Sequence, residues 1–94
     1  MAYALNQFVH FQRDLGNAVK SLGKTVTAEP ENKAASLLRS EGISLTAGVN
    51  SIVKSLQASA ELGSSPDQPT LAKAASNSLN VQKFLGRVEK FKLS

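Results

Sequence analysis

Apolar residues recur at three- and four-residue steps through three long stretches of the chain, and two stretches rich in Pro, Gly, Ser and charge separate them. From residue 4 to 26, Leu5, Phe8, Val9, Leu15, Val19, Leu22 and Val26 form one stripe, which Phe11 and Ala18 widen. That period belongs to an α-helix with one buried side. Arg13, Asn17, Lys20 and Lys24 fall on its other side. The segment KTVTAEPENK then interrupts the pattern. Pro30 forces Glu29 into extended backbone and suits the first turn of a new helix, with Thr27 a candidate cap.

A second helix is predicted from about residue 30 to 40, with Ala34, Leu37 and Leu38 turned inward. Gly42 reads as its C-terminal stop and Ser44 as the cap of a fresh start. Leu45, Val49, Ile52, Val53, Leu56 and Ala60 resume the helical period to about residue 62. The alternative is one helix over 30–62, kinked near Gly42. The run LGSSPDQPT is a loop, because it concentrates punctuating residues and holds no large apolar group between Leu62 and Leu71. The last helix is expected to start near Pro69 or Thr70, with apolar positions Leu71, Ala74, Ala75, Val81, Phe84, Leu85, Val88 and Phe91 and a bend around residues 77–80. The fold class is therefore all-α: a small up-down bundle of three long helical segments, the middle one broken near Gly42.

Composition supports helices over sheets. Of the 94 residues, Ala, Leu and Ser supply 12 each, against four Phe, one Tyr and no Trp. Ala and Leu are strong helix formers, and small side chains let helices approach closely. Ninety-four residues make one domain, spanning 1–94, with a narrow stability margin. No run approaches the roughly 20 apolar residues of a membrane-spanning helix, and MAYALNQFVHFQRDLG lacks the basic leader of a cleavable signal. The chain is expected to be soluble where it is made, with export by a route that leaves the N-terminus uncut left open.

Reactive constellations are sparse. The absence of cysteine removes disulfides, zinc–thiolate sites and thiol chemistry, and the single histidine removes multi-histidine metal sites. His10 has Asp14 four residues on, a pairing that reads as a helix ion pair before it reads as part of a catalytic triad. The seven acids are scattered, and LGKT at 22–25 keeps only the tail of a phosphate-binding loop. No enzyme, no cofactor and no small-molecule substrate are expected.

Charge turns attention to the surface. The formal net charge is +4, concentrated toward the two ends of the chain. Arg13, Lys20 and Lys24 lie on one side of the first helix; Lys83, Arg87 and Lys90 line one side of the last. Brought side by side, the two stripes would form a patch for an anionic partner such as a nucleic-acid backbone. Tyr3 alone is a candidate for stacking on bases, which argues against single-strand recognition. The middle helix has the opposite character: between Ile43 and Leu62 only Lys54 and Glu61 are charged. Ser51, Ser55, Ala58 and Ser59 would suit close packing against another helix, within the chain or in a neighbouring subunit. The expected function is that of a structural or interaction protein, self-assembling or docked into a larger assembly. A nucleic-acid-binding module and an adaptor or chaperone for a partner helix are the alternatives.

Overall fold

The computed structural model describes the backbone of residues 2–94 and the side chains of residues 4–94. Among these residues lie three helices and no strand: α1 (Ala2–Ala28), α2 (Lys33–Glu61) and α3 (Gln68–Leu93). Short links over 29–32 and 62–67 reverse the chain twice, so α1 and α3 run parallel to each other and antiparallel to α2. Helices of this length are each about 40 Å long. The bundle they make is accordingly slender, 48 × 18 × 18 Å. α1 and α2 pack together most extensively, α3 leans mainly on α2, and α1 touches α3 least.

The apolar stripes meet as their spacing predicts. Phe8, Phe11, Leu15, Ala18 and Leu22 of α1 are buried against Val49, Ile52, Val53 and Leu56 of α2, with Val81, Phe84 and Val88 of α3 closing the core. Leu85 and Phe91 pack at its edge, half-buried. The Phe8 and Phe11 rings stand edge to face, centroids 5.3 Å apart, an arrangement that suits the ring quadrupoles. No polar or charged residue is buried among those described. Val9, by contrast, is 45% exposed, at the rim of the α1 stripe instead of inside it.

The expected break at Gly42 does not occur. α2 is one continuous helix, and Gly42 lies buried within it. A Cβ built on Gly42 would stand 2.8 Å from Phe84 Cζ and 2.8 Å from Val19 Cγ2. The glycine is therefore a notch into which α1 and α3 press, and its small size serves packing, not chain reversal. Ser44, read as a cap, is an exposed residue inside this helix. The expected inner face of the first half also rotates. Ala35 is fully buried and Leu38 half-buried, while Ala34 is exposed and Leu37 is 72% exposed. The cause is continuity: Ala35, Gly42, Val49 and Leu56 recur every seven residues along a single helix and fix its inward direction.

The caps differ in part from expectation. Asn32, not Thr27, caps α2, its side-chain oxygen accepting from Ala35 N at 3.1 Å. Thr27 sits within α1 and donates its hydroxyl to the Gly23 carbonyl. Pro30 belongs to the turn before α2, not to its first turn. Asp67 caps α3 by accepting from Thr70 N at 2.9 Å, with Pro69 in the first turn, where its missing N–H costs nothing. The bend expected around 77–80 is absent, since α3 is helical throughout. Asn77 lies against Gly48 of α2, its Nδ2 3.0 Å from where a Cβ would stand, and its buried Oδ1 has no partner in the chain.

Candidate interaction surfaces

The six basic residues singled out from sequence are all exposed. Arg87 is engaged in an ion pair with Glu41 across α2 and α3, and Arg13 Nε lies 3.5 Å from Asp14 Oδ1. These are the ion pairs among the described residues, and exposed pairs of this kind contribute at most about 1 kcal/mol. The groove between α1 and α3, where the two basic stripes would have to merge, is lined by Asp14, Asn17, Ala18, Leu85, Val88, Glu89 and Lys92. It carries two carboxylates against one ammonium. None of Arg13, Lys20, Lys24, Lys83, Arg87 and Lys90 lines it. Tyr3, the candidate for base stacking, lies outside the residues whose side chains are described.

His10 and Asp14 share a shallow depression with Asn6, Gln7 and Phe11 on the N-terminal half of α1. Asp14 meets Arg13, and no hydrogen bond or ion pair joins it to His10 among the described side chains. Asp67 is held below the usual aspartate range because it accepts hydrogen bonds from the Thr70 side chain and backbone, with Lys73 adding a smaller attraction. That is helix-cap chemistry at a fully exposed residue.

The outward side of α2 is of another kind. Ser51, Ser55 and Ala58 are exposed as a face needs them to be, and Ser59 is half-buried at its margin. Continuity of the helix extends that face in both directions. Leu37, Ser40, Ser44, Ala47, Ser51, Ser55, Ala58 and Leu62 follow one another at three- and four-residue steps, all exposed, opposite the buried Gly42, Val49 and Leu56. None is charged. Leu37 and Leu62, 72% and 81% exposed, mark its two ends. α3 adds a smaller apolar exterior in its first half, where Leu71 and Leu79 are 40% and 54% exposed.

Sequence reading found the middle of the α2 face and missed its ends. The missing signal was present as unbroken three- and four-residue spacing from Leu37 to Leu62, but it appears only once Gly42 is read as part of the helix.

These features define a small three-helix bundle whose distinctive surface is one long, sparsely charged helix side. Compared with protein-family models, with curated proteins and with solved structures, the chain matches none.

Proposed function

We propose that this chain is a non-enzymatic helical subunit that assembles with copies of itself or docks into a larger assembly through the outward side of α2. One observation carries the reading: a sparsely charged helix side of small and apolar residues running from Leu37 to Leu62, with a large exposed leucine at each end and Lys54 the one cation along its edge. Solvent-facing helix surfaces are ordinarily laced with Glu, Lys and Arg, and extended uncharged surface marks a place of association. Small side chains along its middle let a second helix come close. Light scattering on eluted protein over a concentration series tests the reading. Mass rising above the 9.9 kDa of one chain supports self-assembly. A constant single-chain mass leaves docking to another protein, and loss of that docking in a Ser51→Glu variant is then its test.

A second reading rests on Lys20, Lys24, Lys83 and Lys90, which are exposed and form no ion pair among the described residues. It makes the chain a binder of nucleic-acid backbones, with affinity falling steeply as salt rises. Absence of any retardation of duplex DNA or RNA at low salt would remove it.

A further inference from the structure

Building on the self-assembling reading, we propose that α2 pairs with α2 of a second copy, antiparallel and about a two-fold axis that passes beside Ala47. Three observations on this helix converge on that partner.

The first is charge at its ends. Lys33 is the first residue of α2 and Glu61 the last. Each stands at the end of the helix whose partial charge has the same sign as its own, an unfavourable placement in the single chain. The two are about 42 Å apart along one helix, so they never meet within a chain. Neither takes part in an ion pair among the described residues. An antiparallel copy brings Lys33 beside the partner's Glu61 and the negative end of the partner's helix, and Glu61 beside its positive end. Within the chain the antiparallel α1 and α3 already set helix ends of opposite sign near these residues; an antiparallel copy adds to that compensation, and a parallel copy opposes it.

The second is the order of side chains along the exposed face. In that register, residues whose numbers add to about 95 lie opposite each other. Leu37 then meets the partner's Ala58, and Ser44 meets the partner's Ser51. A large side chain faces a small one near each end and small faces small in the middle, so the helix axes can lie about 8 Å apart, the short end of helix packing. A two-fold interface must be complementary to itself, and this face is.

The third is that nothing in the chain already covers the face. Ala47, at its centre, is exposed, with Ser44 and Ser51 on either side equally so. The contact is about 40 Å long and 10 Å wide and covers roughly 400 Å² per subunit, below the approximately 800 Å² of a stable pair. Association is therefore expected to be weak and concentration-dependent.

The chain has no cysteine, so a single introduced thiol reports on the pairing without background. Ala47→Cys places its sulfur beside the axis, where the partner's own thiol is within disulfide reach. Under mild oxidation its covalent dimer is expected to form at least about tenfold faster than that of Lys24→Cys, an exposed position on α1, because pairing raises the local thiol concentration. Lys33→Glu and Glu61→Lys should each lower the native mass average at a given concentration, and the two together should recover part of it, because the cross-subunit pair is rebuilt while the helix-end attraction is not. Equal rates for the two thiol variants, or no restoration by the double reversal, would overturn the pairing while a native mass above one chain leaves self-assembly standing. A native chain that stays monomeric to about millimolar concentration, far above the Kd of ordinary stable dimers, overturns both.

Discussion

Replacing Gly42 by alanine adds one methyl group at the point where all three helices converge. In an exposed helix interior the change stabilises by up to about 1 kcal/mol, since glycine is the more costly residue there. At this position the new carbon would lie 2.8 Å from atoms of both Val19 and Phe84, with a second Phe84 atom at 3.4 Å. Two neighbours on different helices must each yield about 0.6 Å to reach ordinary contact, and the fully buried Phe84 ring has no solvent to turn into. Overpacking of this kind costs about 1–3 kcal/mol. Gly16 is the internal control, because it is exposed in α1 and a Cβ there meets nothing within 4 Å. Gly16→Ala should gain the propensity term alone. The two variants should therefore differ by about 1–3 kcal/mol, or roughly 4–8 °C in Tm for each kcal/mol in a chain of this size. Urea unfolding followed by far-ultraviolet circular dichroism measures both. A Gly42→Ala variant as stable as Gly16→Ala, or more so, would refute the packing argument.

Three other outcomes follow from the same geometry. Phe84→Ala removes a fully buried ring and should cost about 3–5 kcal/mol by denaturant unfolding, a large share of a small domain's stability; an unchanged midpoint would contradict the core. Asp67 has a folded-state pKa below its unfolded value, so its cap stabilises fully above the unfolded pKa and fades as pH falls through the folded one. Asp67→Asn keeps an N-cap acceptor but does not titrate, and should flatten the loss of Tm below about pH 4; an acid profile identical to the native chain would contradict that account. Asn32→Ala should lower stability by about 1 kcal/mol through loss of the α2 cap, with no change expected if Thr27 were the cap instead.

Most of the bundle was legible because apolar spacing is a direct record of which side each helix buries. Phe8, Leu15, Val49, Ile52, Val53, Leu56, Phe84 and Val88 were all expected inside and all are buried. What failed did so at residues with two physical uses. Glycine ends helices and also lets helices touch, and only the positions of Val19 and Phe84 show which use Gly42 serves. Reading it as a break turned Leu37 inward and hid the outer ends of the α2 face. Asn32 and Thr27 are both competent caps, and the choice depended on where α1 ran out, a matter of packing beyond Val26. Net charge likewise carried no information about neighbours. Glu41, Asp14 and Glu89 lie among the basic residues in space, although the sequence gives no local sign that Glu41 would reach Arg87.

The most direct test of the account compares the sedimentation equilibrium of the native chain with that of Ala47→Glu, at concentrations up to about 1 mM, where even weak association registers. Ala47 is exposed, so the variant should keep the native Tm while placing a carboxylate at the centre of the small-residue face. The account predicts that native mass rises with concentration above 9.9 kDa and that the variant stays near that value. A native chain that remains a monomer throughout would contradict self-assembly through this face, and a variant that associates as readily as the native chain would contradict the choice of face.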